Sequence, residues 1–409
     1  MQGWKISATA EVTLPYKMDY KTFPIQPYSY NSSLITDGAL EYLSLPSDSK
    51  PMGIIYDNYT SKVWIALYWN RSIAVIDVST MNVTVYPMPW QIDENYYGPL
   101  PWTLATTPDD SVWFSINTYM VYPNHLPSFV PYLGRLDASN NLIYIYYTPV
   151  EFIGGQDIKY YNDFIWYLTS TGLLKINYTS YEIIESYPID ISIGFMDTDI
   201  DSLWISSLQN NLVTRFNITA KSFDVNITGF DRPLGIEVDN SFVYVAENTW
   251  TNSIGTIARI NKTDYNITRL NTTSLNPIDG PYSVLKDSFG NLWWTDHSYH
   301  VGVFYYLNPD VSIVYNSRPY CYFMTEVPGS SIWFSAVGSA YVGVIEPPRS
   351  ADVNNDGIVN MRDITAIILD FNTKRGDENY KPECDLDNNG IVNMRDVTIT
   401  ILCFNKRTS

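Results

Sequence analysis

The sequence predicts a mainly β protein: a seven-bladed β-propeller followed by a small α-helical, EF-hand-like module at the C-terminus. Two observations carry that prediction. A unit of about 42 residues recurs seven times from Pro51 to near Pro347, the period of four-stranded propeller blades. Near the C-terminus two acidic twelve-residue segments, Asp352–Asp363 and Asp385–Asp396, repeat one another almost residue for residue.

Each unit opens with a short apolar strand after a Pro, Gly or polar turn and continues into an aromatic-centred strand. The cores begin PMGIIYDNYTSKVWIALY at Pro51, PWTLATTPDDSVWFSI at Pro101 and DIKYYNDFIWYL at Asp157. They continue with SIGFMDTDIDSLWISS at Ser192, PLGIEVDNSFVYVAE at Pro233, PYSVLKDSFGNLWWTD at Pro281 and PYCYFMTEVPGSSIWFSA at Pro319. Third strands such as Ser72–Val78 and fourth strands such as Asn82–Pro89 complete the pattern. The seventh unit ends at YVGVIEPP without an outer strand, and ALEYLSLP (Ala39–Pro46) has the character to supply it from the N-terminal side. Closing the ring this way removes an exposed sheet edge.

Composition narrows the function classes. The 409 residues carry 43 Asp+Glu against 25 Lys+Arg, a formal charge of -18, which argues against a nucleic-acid partner. Charged residues are only 17% of the chain while aromatics reach 15%, so hydroxyls, amides or attached sugar must wet much of the surface. No apolar run has the length of a membrane helix, and no signal peptide is visible in the first thirty residues.

The rhythm Pro233-Leu-Gly-Ile236, Leu292-Trp-Trp-Thr-Asp296 and Ile254-Gly-Thr-Ile257 resembles the streptogramin-lyase-like group of seven-bladed propellers and the related NHL-type propellers. The resemblance covers residues 40–347. It implies a candidate site at the central channel, where that group uses a His/Glu pair with magnesium. Asp296 and Glu247 end their second strands in the slot of that group's acid, and His297 and His300 follow Asp296, giving a candidate channel cluster. No motif places a carboxylate pair, a nucleophile elbow, a phosphate loop or a zinc site, and a surface turn holding two histidines is the plainer reading. The third histidine is His125.

Before the ring, residues 1–38 form an N-terminal extension. Within it Ile6, Ala8, Ala10, Val12 and Leu14 alternate with Ser7, Thr9, Glu11 and Thr13, which predicts a half-buried strand. Its partner is either the body of this chain or a sheet in a neighbouring molecule.

The C-terminal repeats fit the calcium loop D-x-[DN]-x-[DN]-G, which presents oxygen at positions 1, 3, 5, 7, 9 and 12. Loop one offers Asp352, Asn354, Asp356, the Ile358 carbonyl, Asn360 and Asp363; loop two offers Asp385, Asp387, Asn389, the Ile391 carbonyl, Asn393 and Asp396. Two calcium ions are expected. A helix follows each loop, with Met361, Ile364, Ile368 and Phe371 on one face and Met394, Val397, Ile401 and Phe404 on the other's. Asp at position 12 and the lack of an entering helix before loop one resemble a type I-like dockerin over residues 352–409. That resemblance implies a protein partner, either a cohesin-like module or neighbouring copies of the chain. Met361-Arg362-Asp363 and Met394-Arg395-Asp396 stand where such modules vary residues to set specificity. The linker, residues 348–351, is short, and prolines stiffen the approach to it.

Ten N-x-[ST] sequons, at Asn31, Asn58, Asn70, Asn82, Asn177, Asn217, Asn226, Asn261, Asn266 and Asn271, predict N-linked glycans on an exported chain. Cys403 is expected to face outward on its helix. A bond from Cys403 or Cys384 to Cys321 would pin the module to blade seven, free thiols being the alternative. The sequence thus points to an extracellular or cell-surface assembly protein, glycosylated and calcium-stabilised. The alternatives are a dockerin-borne lyase or hydrolase acting on a polysaccharide or lactone, and a glycan- or protein-binding propeller.

Overall fold

A computed structural model describes residues 14–93, 96–97, 99–116, 132–191, 193–248, 255–272, 280–318 and 320–408. The strand expected at Ile6–Leu14 lies outside them except for Leu14, as does His125.

Seven antiparallel sheets of four or five strands make the ring. Blade one is typical: Pro51–Asp57 innermost, then Lys62–Leu67, Ser72–Asp77 and Val83–Pro87 outermost. The second strand carries the core aromatic. Trp64, Trp113, Trp166, Trp204, Trp293 and Trp333 occupy matching positions and are at most 4% exposed. Full burial of one such side chain stabilises the fold by about 3 kcal/mol. Cations on the third strand lie near several of these rings, as with Lys175 5.6 Å from Trp166 and Arg215 5.7 Å from Trp204.

The glycines of the repeat have a steric origin. A Cβ on Gly302 would sit 2.2 Å from the Trp294 ring, and one on Gly343 would sit 2.0 Å from Phe334. At these two positions, and at Gly134 against Phe114, the ring of the second strand leaves the third no room for a side chain.

The N-terminal residues follow a path that their sequence did not announce. β1 (Tyr16–Lys17), β2 (Tyr20–Pro24), β3 (Tyr28–Tyr30) and β4 (Leu34–Asp37) add a fifth strand to blades three, two, one and seven in turn. β5 (Leu40–Ser44) then pairs with Tyr341–Ile345, with Leu40 opposite Ile345, and supplies the outer strand that blade seven lacks downstream. The short strands β1 to β4 thus form a belt around the outside of four consecutive blades.

Two helices follow the ring, α1 (Met361–Leu369) and α2 (Met394–Leu402). Each begins in a capping box, with Asn360 or Asn393 as N-cap and Asp363 or Asp396 returning the bond. The module packs against blade six. Leu386, Val392 and Cys403 share one core with Trp293, Tyr305, Tyr315 and Cys321 of the propeller. The Tyr305 hydroxyl donates to the Arg349 carbonyl (2.5 Å) and accepts from the Ala351 amide (2.6 Å).

Two expectations are overturned here. Cys403 is fully buried, because the seam between ring and module covers the side of α2 that a lone-helix count turns to solvent. The helix faces also differ. Ile364 and Ile367 of α1 and Val397 and Ile399 of α2 turn inward, while Met361, Ile368, Phe371, Met394, Ile401 and Phe404 are exposed. All three cysteines are buried free thiols rather than a disulfide, and burial pushes the Cys321 thiol up to about 12.

Candidate metal centre and channel mouth

Each acidic loop is wound around its own carboxylates. In loop one, Asp352 accepts from the Gly357 amide (2.9 Å) and the Thr408 hydroxyl (2.6 Å), and Asp363 accepts from the amides of Asn354 (3.1 Å) and Asn360 (2.8 Å). In loop two, Asp385 accepts from the Gly390 amide (2.8 Å), and Asp396 from the amides of Leu386 (2.8 Å) and Asn393 (2.8 Å). Gly357 and Gly390 sit at φ of 90° and 85°, which a side chain would strain. The segment after each helix returns to the other loop, through the bridges Lys374–Ile391 and Ile358–Arg407. Each loop thus shares a backbone bridge with the other half of the module.

Loop two brings one carboxylate oxygen each from Asp385, Asp387 and Asp396 within 4.8 Å of one another, all three residues fully buried. Arg395 Nε lies 3.1 Å from Asp387 and is the one cation paired with them among the described residues. Asp385 Oδ1 is buried without a hydrogen-bond partner, and burial raises the Asp387 carboxyl and pushes Asp396 up to about 6. Three buried acids with an orphaned oxygen leave negative charge unbalanced. A hard divalent cation supplies that balance, and the oxygen-only donor set suits calcium. In loop one Asp352 and Asp363 are buried, while Asn354 and Asp356 are open to solvent and Arg362 stands 3.7 Å from Asp356.

The candidate channel residues are each spent on local partners. Asp296 accepts from the amides of Ser298 and His300 (both 2.9 Å), and its other oxygen lies 2.6 Å from His300 Nδ1, a bond that raises the His300 pKa. His297 Nε2 lies 2.6 Å from the Tyr322 hydroxyl. Glu247 is held by Arg269 through a two-point pair (2.8 and 3.0 Å) and by the Asp231 amide (3.1 Å). Strand patterns place these acids correctly at strand ends but say nothing about Arg269 or Tyr322.

At the starts of the inner strands the channel is filled by rings. Phe195 of blade four meets Phe323 of blade seven with centroids 5.3 Å apart, and Phe323 meets Trp102 of blade two at 6.3 Å. Blades four and seven are not neighbours in the ring, so this contact spans its axis. Tyr282 stacks on Tyr322 at 4.2 Å beside them. Further along, the inner strands place Lys159 3.7 Å from Asp197, and Asp197 accepts from the Val238 amide of the next blade (2.8 Å). Burial and the neighbouring Asp197 raise the Glu237 carboxyl well above its ordinary range.

Of the ten sequons, Asn31, Asn58, Asn82, Asn226, Asn266 and Asn271 are exposed, and Asn70, Asn177, Asn217 and Asn261 are half-buried at turns. Asn177 and Asn217 use their side-chain oxygen to hold those turns, accepting from the amides of Ser180 (3.0 Å) and Ala220 (2.8 Å).

The molecule is therefore a seven-bladed propeller with a paired-loop, calcium-type module seated on its sixth blade. Residues 350–402 match the dockerin type I domain, a class that binds calcium and mediates protein–protein assembly. Among solved structures the chain is similar to virginiamycin B lyase from Staphylococcus aureus, in a catalytically inactive form with quinupristin. That match has 20% identity and a TM-score of 0.58, and covers 75% of this chain and 98% of that one. It is also similar to a hydrazine synthase chain from Kuenenia stuttgartiensis (14% identity, TM-score 0.59, 74% and 97% covered) and to U3-55K (10%, 0.58, 75% and 98%). At these identities the likeness shows the fold. No protein of curated function matches the chain.

Proposed function

We propose that this chain is an extracellular, glycosylated assembly subunit whose dockerin module, loaded with two calcium ions, presents a partner surface at a fixed angle to the propeller. The observation that carries this reading is the outward turn of both helices' apolar stripes. Met361, Ile368 and Leu369 on α1 and Met394, Ile401 and Leu402 on α2 are each at least half exposed, although Ile364, Ile367, Val397 and Ile399 beside them are buried. Apolar side chains in that number, kept out of a core that has room for their neighbours, fit a protein partner such as a cohesin-like module. The near-identity of the two halves makes the surface pseudo-symmetric.

Titration calorimetry against a panel of type I cohesin modules, with calcium and with EDTA, tests the reading. Calcium-dependent binding that Met361→Asp together with Met394→Asp removes is the expected result. Absence of binding across the panel in calcium, with a single-chain mass in ultracentrifugation, counts against it. Mass spectrometry of peptides from the exported chain tests the sugars at the exposed sequons.

A second reading, a glycan-binding face, draws on one feature of blade one. Trp69 and Trp90 are 61% and 76% exposed, with Lys50 and Arg71 stacked against them at 4.0 and 4.6 Å. Affinity electrophoresis in acidic and neutral polysaccharides, with Trp69→Ala and Trp90→Ala as controls, separates this reading from the first.

A further inference from the structure

Blade one places its aromatic pair beside a sequon. Trp69 and Trp90 are the two exposed tryptophans among the described residues. Trp69 lies in the four-residue turn that joins the second strand to the third, inside the Leu67–Ser72 pair, and Trp90 follows the outermost strand. Asn70, Arg71 and Ser72 form a sequon in that same turn. Of the ten sequons it is the one that falls between a second and a third strand.

The turn is held in place from both sides. The amides of Tyr68 and Trp69 donate to the carbonyls of Lys50 (3.2 Å) and Ser49 (3.1 Å), and the Met88 amide donates to the Arg71 carbonyl (2.8 Å). Lys50 stacks on the Trp69 ring and Arg71 on that of Trp90, which fixes the tilt of both indoles. Their large exposure leaves the remaining ring surface open. Trp69 is the chain neighbour of Asn70 on one side, and Arg71, which carries Trp90, is its neighbour on the other.

The asparagine side chain is unspent. Its backbone carbonyl accepts from the Ser72 hydroxyl (3.0 Å), but its amide group makes no hydrogen bond among the described residues. The equivalent turn of blade four, inside the Ser207–Leu212 pair, differs on both counts. There Asn210 Nδ2 donates to the Asp190 carbonyl (2.9 Å), and Gln209 stands where blade one has Trp69.

We infer that Asn70 carries an N-linked glycan whose first sugars lie on Trp69 and Trp90. A hexopyranose with equatorial hydroxyls has an apolar face of C–H groups that suits an indole, and the covalent link keeps that face at high effective concentration. The sugar comes from a lipid-linked phosphate donor. Asn70 Nδ2 forms a bond to the anomeric carbon and gives up one proton, while the bond from that carbon to the phosphate oxygen breaks and the phosphate leaves with the electron pair. Ser72 is 2% exposed in the folded blade, so the sequon is open to a transferase only before the turn closes.

This inference rests on the glycan-binding reading of blade one and names the ligand as a sugar of the same chain. Peptide mass spectrometry of the natively exported protein is expected to find Asn70 occupied. Hydroxyl-radical footprinting then reads the rings: oxidation of Trp69 and Trp90 is expected to rise several-fold in Asn70→Gln and in Ser72→Ala, and to be unmoved by Asn58→Gln. Ser72→Ala removes the sequon but keeps the asparagine, and wild-type chain from a host lacking the transferase gives the same comparison without a substitution. An unmodified Asn70, or an occupied Asn70 whose loss leaves ring oxidation unchanged, would each overturn the proposal. An unmodified Asn70 together with polysaccharide retardation that Trp69→Ala abolishes overturns it while leaving the glycan-binding reading standing.

Discussion

The Tyr315 hydroxyl on blade six donates to the backbone carbonyl of Asp387 in the second acidic loop, at 3.1 Å. A propeller residue thus helps to hold the loop that carries three buried carboxylates. The same loop is gripped from the linker: Arg349 donates to the Leu386 carbonyl (2.8 Å) and to Asn388 Oδ1 (2.7 Å), and Asn388 Nδ2 donates to the Pro347 carbonyl (2.7 Å). Loop one has its corresponding ties to the C-terminal tail instead, through Thr408 and Asp352. The two loops are alike in sequence and unlike in surroundings.

Tyr315→Phe removes one buried hydrogen bond and should lower stability by about 1 kcal/mol. Because the bond joins ring to module, the loss should show as earlier melting of the module in calorimetry, with the ring transition unmoved. A uniform shift of both transitions would contradict this assignment.

Chelation should act on the same seam. With EDTA, residues 352–404 are expected to unfold while the ring persists, since its seven sheets close on themselves through β5. Trp293, which shares a core with Leu386 and Cys403, is expected to report the event by a red shift in fluorescence. A melting profile indifferent to EDTA would show that the loops fold without metal.

The Asp296–His300 bond makes a pH prediction. The bond to Asp296 raises the His300 pKa above its ordinary 6.5. Its stabilising contribution is therefore fully present below pH of about 6.5 and is lost as pH rises through the folded-state value. Melting temperatures of the wild type and His300→Gln should differ most below pH of about 6.5 and converge as the pH rises through the raised folded-state value. A constant difference across that range would mean that the imidazole charge plays no part.

Gly302→Ala tests the packing rule of the third strand. Its Cβ would meet the Trp294 ring at 2.2 Å, and the ring is fully buried, so the clash should cost about 2–3 kcal/mol. Gly329→Ala, at a turn with open space around it but a φ of 67°, should cost less, about 1 kcal/mol, because there only the backbone objects. Urea midpoints for the pair separate the two causes.

Much of the ring was legible because its signal is repeated: Trp64, Trp113, Trp166, Trp204, Trp293 and Trp333 recur in one strand position, and one blade teaches the next. The acidic loops were legible because calcium needs oxygen at fixed intervals. The belt was not, since YKTFP and YSY are too short to show a period and their partners lie far along the chain. The helix faces misled for a different reason. Apolar spacing tells which residues share a side, and Met361 and Ile368 do, but the side with the longest apolar stripe faces solvent here. Cys403 was misplaced by the same logic, because a wheel drawn for one helix omits the propeller packed against it. The local partners of Glu247 and His297 were out of reach, as Arg269 comes from the outer strand of the same blade and Tyr322 from the next blade, pairings that only the folded chain makes.

The pairing of Leu40 with Ile345 also sets a timetable for biosynthesis. The first forty residues emerge before any blade exists, yet their partners include strands completed only when nearly the whole ring has been made. Until then β5, paired only with its neighbour β4, waits for Tyr341–Ile345, while β1 to β3 find their partners earlier in the chain. Non-local pairing of this kind folds slowly and leaves adhesive edges exposed in the interval. A chain that is exported unfolded avoids much of that interval, because ring and belt become available together on the far side. The closure that protects the finished protein thus favours a route in which folding waits until synthesis is over.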